Sequence, residues 1–364
     1  MILGRRSTWP NLLITVIISL IGLLFIFSST HIVGQSFPIF FRKQIFGIVS
    51  GFALYTFFYF KDYRSLCRWG YFTYFIIIAL LLFTIVKGSI GMGAQRWINL
   101  GLFKFQPSEM ARLFLPAFIT YFLYTEEESG SFRFSSFWII LLILGFSCLL
   151  ILKQPDLGTA LIIGFSGLIM LWYAGIGKRF FMISLIMVGI SAPVLYSCLK
   201  PYQKKRIEVF LGAGDIKKER YQIEQSKIAI GSGGFLGKGL FKGTQTQLAF
   251  LPESRTDFIF SVLCEEWGFI GALFVLLLYA ILIIRILIGI MYLTSFFAQL
   301  LAIGLLSPIL LAILINTGMV TGMLPIVGIP LPLMSYGLTH TWITLASLGW
   351  INGILHQHPD SKSF

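Results

Sequence analysis

The chain of 364 residues is 57% hydrophobic and 12% charged, with a mean hydropathy of +0.85 and a formal net charge of +13. That much apolar surface excludes an ordinary soluble domain, because runs of roughly 18 or more apolar residues are read as membrane spans. The positive balance, which in a soluble protein would suggest nucleic acid, fits anionic lipid head groups and an anionic substrate instead, and no nucleic-acid partner is expected.

The first predicted element lies in "MILGRRSTWPNLLITVIISLIGLLFIF". It has the basic flank and apolar run of a signal peptide. The run is long and no small-residue cleavage site closes it, so it reads as a retained span over 11–28. Further spans are predicted at 39–60, 71–87, 107–124, 136–152, 157–174, 180–199, 258–284, 295–316 and 335–355. Each is about long enough to cross a bilayer. The expectation is an all-α polytopic membrane protein of about ten transmembrane helices, forming one domain over 1–364.

An even number of spans puts both termini on one side. Arg5, Arg6, Lys61, Arg64, Arg68, Arg133, Lys178, Arg179, Arg285 and Lys362 then gather on the termini side, and Arg42, Lys43, Lys87, Arg96, Lys104 and Lys153 on the other. The excess predicts cytoplasmic termini. The long connection 200–256 falls on the outer face and is rich in Lys and Arg, as in "KPYQKKRIEVF" and "DIKKERYQIEQSK". It reads either as a solvated loop or as a basic lid over an anionic substrate. Its glycines do not make a P-loop: before Gly237 and Lys238 the required glycine position holds Ser232, and Gly239 follows the lysine. They read as turn formers.

Carboxylates at span thresholds call for a reason. Glu109 and Arg112 open the fourth span in "QPSEMARL", Asp156 the sixth in "KQPDLGTAL", and Asp257 the eighth in "SRTDFIF". Even-numbered spans all start on the outer side, so these residues share it with Arg96 and Lys104. Each also has a plain structural reading. Ser254 and Asp257 fit a capping box, Asp156 a helix N-terminus, and Glu109 with Arg112 an ion pair along one helix face. Together they suit a sugar or phosphate substrate, a carboxylate taking a proton and cations stabilising a departing pyrophosphate. A transporter cavity fits the same residues. The Gly- and Pro-rich segment 316–337 is either a packed loop or a re-entrant wall of the cavity. Cys67, Cys148, Cys198 and Cys264 have no metal or redox spacing, "HQH" at 356–358 reads as a polar tail, and no metal-ligating residues are assigned.

"GAQRWINLGLFKFQPSE", "QPDLGTAL", "GTQTQLAFLPESRTDFIFSVLCEEWGFIG" and "NTGMVTGMLPIVGIPLPLMSYG" resemble the SEDS proteins of shape, elongation, division and sporulation. The resemblance runs from the first span to the last, and "GTQTQL" before "FLPE" is most like the elongation branch. It implies a bacterial inner-membrane glycosyltransferase that polymerises lipid II on the periplasmic side, with a class B penicillin-binding transpeptidase and elongation-machinery membrane proteins as partners. It implies Asp257 as the catalytic residue, with Glu109, Arg112 and Asp156 binding substrate; Arg96, on the same side by topology, is expected to bind substrate with them, with room for a divalent cation such as Mg2+. A lipid II flippase is the alternative, and a non-catalytic scaffold a third. Two departures stand out. Arg112 replaces the family's usual lysine, and "SYGLTH" from Ser335 to His340 replaces "SYGGSS".

Overall fold

A computed structural model describes residues 8–30, 38–91, 94–99, 104–128, 134–198, 201–210, 212–213, 220–248 and 250–357. Ten helices of 17 to 33 residues correspond to the ten expected spans: α1 (Trp9–Thr30), α2 (Ile39–Phe60), α3 (Tyr63–Lys87), α4 (Pro107–Glu128), α5 (Phe134–Lys153), α6 (Leu157–Tyr173), α7 (Lys178–Cys198), α11 (Ile259–Met291), α12 (Phe296–Val320) and α13 (Leu338–Gln357). Five described helices, α1, α3, α5 from Ser136, α11 and α12, are long and apolar enough by themselves to cross a membrane. Part of the polarity of α2, α4 and α13 points inward: Gln44, Glu109, Arg112, His340 and Asn352 are all buried.

α3 starts at Tyr63, earlier than expected, because Asp62 caps it by accepting a 3.0 Å bond from the Ser65 amide. The expectation of an all-α chain is also refined between α3 and α4. Strands β1 (Ser89–Gly91), β2 (Ala94–Asn99) and β3 (Lys104–Phe105) form a small antiparallel sheet in that order, with Ile90 opposite Gln95 and Ile98 opposite Phe105. A strand's period of two sets Arg96 and Ile98 on one face.

The connection 200–256 is not a bare loop. It holds α8 (Pro201–Phe210), α9 (Tyr221–Gly233) and α10 (Thr244–Gln247). α9 buries Ile223, Ser226, Ala229 and Gly233. Ser226 shares a 2.8 Å hydrogen bond with Ser261 of α11 and donates one of 2.7 Å to the Val320 carbonyl of α12. A helix docked in this way is a fixed part of the bundle.

α11 is broken at Gly268, whose φ of 66° and ψ of −163° leave the helical region. The turn after α9 fills the break: the amides of Phe269 and Ile270 donate to the carbonyls of Gly234 and Phe235, and the amides of Lys238 and Gly239 to those of Glu265 and Glu266. A Cβ on Gly237 would meet the Glu266 carbonyl oxygen at 2.1 Å, at a φ of +79°. The glycines of "GSGGFLGKG" thus permit close approach as well as the turn. Glu265, fully buried, accepts from Lys238 at 2.7 Å, Thr244 at 3.1 Å and the Gln245 amide at 3.0 Å. "GTQTQ" therefore wraps a carboxylate of α11.

Candidate active site

Three ionic groups sit where β2, the starts of α4, α6 and α13, and the turn before α11 come together. At the start of α6, Asp156 Oδ1 accepts the Thr159 amide at 3.2 Å, the capping role its position suggested. Its Oδ2 accepts from Gln106 Nε2 at 2.7 Å and lies 3.5 Å from Arg96 Nη1. Both oxygens of Asp156 are thus occupied inside the protein. What it presents outward is the orientation of Arg96.

At the start of α4, Arg112 Nη1 donates to both oxygens of Glu109, at 3.0 and 2.8 Å. This is the helix-face pair expected from the spacing of three. The structure adds a third member. His340 of α13 brings Nδ1 to 3.3 Å from the same Nη1 and 3.5 Å from Glu109 Oε2. All three side chains are buried. The departures at positions 112 and 340 therefore touch each other.

Asp257 lies in the turn before α11 and is partly buried. The capping-box expectation fails: the N-cap of α11 is Phe258, with no side-chain capping bond. Asn316 at the end of α12 holds the turn, donating to the Asp257 carbonyl at 2.9 Å and to that of Ile329 at 2.7 Å. Ser335 supports it from the other side by donating to the Thr256 carbonyl. The carboxylate itself accepts no hydrogen bond from the described residues. Burial pushes its pKa up to about 6, Glu253 adds to the rise, and Arg96 and Arg206 oppose it. A Cβ at Gly328, where φ is +73°, would stand 3.5 Å from Asp257 Oδ2, so the 316–337 segment walls this side of the site. Arg255, despite its place in sequence, sets its guanidinium 3.9 Å from the centre of the Phe40 ring.

The cations of 200–256 are less available than their number suggests. Arg220 pairs with Glu224 at 2.9 Å, Lys227 lies 3.9 Å from Glu224, and Lys238 is bound to Glu265. Lys204 stands over the Tyr196 ring. The side chains of Lys104 and Lys205 lie outside the described residues.

Beside Glu109 and Arg112 opens a cavity of about 680 Å³ with an apolar lining that includes Phe58, Leu80, Ile98, Phe105, Met110 and Trp342. It runs between α2, α3, the sheet, α4 and α13. Met110 and Leu113, next in the chain to Glu109 and Arg112, help line this apolar space, which suits a hydrocarbon chain.

Fold and site together define a polytopic membrane protein with ionised side chains concentrated at one end of its bundle. Residues 9–359 match the cell cycle protein family of FtsW, RodA and SpoVE, and the chain belongs to this family, the SEDS proteins its motifs resemble. It is 40% identical over 298 residues to peptidoglycan glycosyltransferase MrdB of Escherichia coli (strain K12), covering 80% of this chain and 78% of the relative. It is 33% identical over 435 residues to peptidoglycan glycosyltransferase RodA of Treponema pallidum (strain Nichols), covering 96% and 98%. Among solved structures, a chain described under structural coordination of polymerization and crosslinking by a peptidoglycan synthase complex matches with a TM-score of 0.81 at 25% identity, covering 97% of this chain and 98% of that one. The crystal structure of Thermus thermophilus rod shape determining protein RodA matches with a TM-score of 0.72 at 25% identity, with the same coverage.

Glu109, Arg112, Asp156, Arg96 and Asp257, the residues expected from sequence, come to one end as two ion pairs, Arg96–Asp156 and Glu109–Arg112, and the separate carboxylate of Asp257. Sequence reasoning missed the contacts of His340, Gln106 and Glu253. The change of "SYGGSS" to "SYGLTH" was the one signal that could have pointed to His340.

Proposed function

We propose that this chain is a peptidoglycan glycosyltransferase that polymerises lipid II into glycan strands for cell elongation. The observation that carries the reading is Asp257, a carboxylate accepting no hydrogen bond from the described residues, with its pKa raised to about 6 and the cations Arg96 and Arg206 acting on it. A general base works best with a pKa near the operating pH. Asp257 accepts the proton of the sugar 4-hydroxyl of one lipid II. That oxygen bonds to the anomeric carbon of the growing chain as the bond to the pyrophosphate oxygen breaks, and undecaprenyl pyrophosphate leaves. Direct displacement inverts the anomeric centre. Arg96, Arg206 and Arg112 offset the charge that develops on the leaving group. The apolar cavity beside Arg112 supports a substrate whose head group is charged and whose tail is hydrocarbon.

A divalent cation such as Mg2+ enters this reading with the substrate. Magnesium is commonly held by one or two carboxylates plus substrate phosphates, and no cluster of three or more metal-ligating side chains stands among the described residues. It would neutralise pyrophosphate charge.

The same reading places the chain in the bacterial cytoplasmic membrane as one multi-pass domain, with the site outside and the termini inside. The distribution of Lys and Arg over the short connections supports this. A class B penicillin-binding transpeptidase and elongation-machinery membrane proteins are the partners it implies. The likeness to a chain of a peptidoglycan synthase complex supports the first. The test is reconstitution of the purified protein with lipid II, alone and with the transpeptidase. Failure to form polymer in both settings would sink the reading.

A further inference from the structure

Arg112 offers five N–H donors and cannot accept. Its Nη1 carries two of them, and both are taken: one is shared by the oxygens of Glu109, at 3.0 and 2.8 Å, and the other faces His340 Nδ1 at 3.3 Å. Nδ1 lies nearer to this nitrogen than to Glu109 Oε2, which is 3.5 Å away; facing a guanidinium, which only donates, it presents its lone pair in the tautomer that carries the ring proton on Nε2. Glu109 and His340 therefore grip one guanidinium nitrogen from two helices, α4 and α13.

The opposite edge, Nε with Nη2, makes no hydrogen bond to the described residues. Neither atom is among the buried polar atoms lacking a partner, so each keeps accessible surface although the residue is 5% exposed. A side-on guanidinium edge is the geometry that binds two oxygens of a phosphate or carboxylate. His340 also carries a cost. Its Nε2 is buried without a partner, a state that an apolar residue at this position would avoid. A buried polar atom left unsatisfied needs a reason beyond packing.

We propose that His340 is a positioning residue: with Glu109 it locks Nη1 of Arg112, so that the Nε and Nη2 edge is held out as a fork for a phosphate-class oxyanion of the substrate. The inference rests on the glycosyltransferase reading only in taking that oxyanion to be the pyrophosphate of a lipid-linked sugar. A lysine in place of Arg112 would keep the charge and lose the fork.

The probe is inorganic pyrophosphate, titrated by calorimetry into the full-length protein in detergent, with thermal unfolding recorded for each variant. H340L keeps bulk and removes the acceptor. It weakens pyrophosphate binding roughly tenfold, the scale of one charge-assisted hydrogen bond. R112K does the same, and the double variant binds no more weakly than R112K, because His340 acts through Arg112. H340N, whose Oδ1 can stand where Nδ1 stood, recovers most of the binding. With lipid II, H340L raises KM more than it lowers kcat. Unchanged affinity in a folded H340L, or additive losses in the double variant, overturns the proposal. Should H340L not fold, binding by H340N as weak as by R112K overturns it. Wild-type protein that polymerises lipid II without binding pyrophosphate removes the fork and leaves the enzyme. Pyrophosphate binding without polymerisation removes the enzyme reading alone.

Discussion

Arg96 Nη1 stands 3.5 Å from Asp156 Oδ2, so a single strand residue joins the β-sheet to the start of α6. The same cation lowers the proton affinity of Asp257, against burial and Glu253, which raise it. Two carboxylates thus meet one arginine, Asp156 directly and Asp257 through its field. A base must be deprotonated to act, so kcat/KM rises with pH through about 6. Arg96→Gln removes an opposing cation and moves that limb to higher pH. Glu253→Gln removes a like charge and moves it to lower pH. Shifts in the same direction, read from pH–rate profiles, would contradict the assignment. Stability follows the same linkage. The folded pKa lies above the ordinary value of 3.8, so the contribution from Asp257 is full below about pH 4 and is lost as pH rises through about 6.

Asp257→Asn separates chemistry from architecture. The carboxylate caps nothing, and Asn316 holds the turn through the backbone carbonyl, which the variant retains. Polymer formation from lipid II should fall by at least about a hundredfold, the lower range for a lost general base. The unfolding temperature should not drop, because a partly buried charge is removed. A drop in stability with activity largely intact would return Asp257 to a structural role.

The Glu109–Arg112 pair is buried, and breaking such a pair from one side costs about 3–5 kcal/mol. The two single changes differ in what they leave behind. Glu109→Gln leaves Arg112 a neutral oxygen and His340 Nδ1, whereas Arg112→Gln leaves the Glu109 carboxylate buried without its cation. Arg112→Gln should therefore destabilise more. The double variant should be less impaired than the sum of the two, measured as folded yield in detergent and as initial rate. Additive losses would mean that the residues work separately.

How far the site could be read from sequence differs among its parts. The capping role of Asp156 and the Glu109–Arg112 pair were legible because Thr159 and Arg112 lie three residues on, where helix geometry fixes distances, whereas the bonds of Asp156 to Gln106 and Arg96 were not. Asp257 was legible as a carboxylate at a span threshold, yet the capping box that fitted Ser254 and Asp257 does not form, because the N-cap is Phe258, four residues beyond Ser254. His340 was not legible. Its contact with Arg112 spans 228 positions, and no local pattern encodes which faces of α4 and α13 meet. The sheet was missed for another reason: strands of 3, 6 and 2 residues are too short for alternation to stand out. α9 was missed because a helix bearing Glu224 and Lys227 beside a glycine run resembles a solvated connector until Ser226 is seen bonded to α11 and α12.

Gly237 tests whether the broken helix matters. An alanine there combines a φ of +79° with a contact of 2.1 Å to the Glu266 carbonyl oxygen. Left-handed strain and overpacking each cost about 1–3 kcal/mol. Gly237→Ala should lower the unfolding temperature and activity together. Gly231, whose Cβ would meet nothing within 4 Å, should accept alanine with little change in stability. Equal tolerance at both sites would show that the turn does not need to sit this close to α11.

Enzyme and flippase predict different interiors. A flippase needs a polar route for a charged head group through the whole bundle. At the end opposite the site the buried polar groups bond to one another: Asn11 donates to Asn352 at 2.8 Å, Arg285 to Asn11 at 3.0 Å, and Asn352 to Tyr55 at 3.0 Å. This network ties α1, α2, α11 and α13 together and closes that end. The stretches above it, "ALIIGFSGLIMLWY" on α6 and "VLLLYAILII" on α11, carry no charge, as suits a closed interior. Asn352→Leu should loosen the network and lower stability by roughly 1–3 kcal/mol, because it strands Asn11 and Tyr55, while glycan formation per folded molecule holds. Purified wild-type protein in detergent, with no bilayer to cross, should make glycan from lipid II. If it makes none even with its transpeptidase, yet moves labelled lipid II across liposomes, and if Asn352→Leu speeds that movement, the opposite end is a gate and the flippase reading stands.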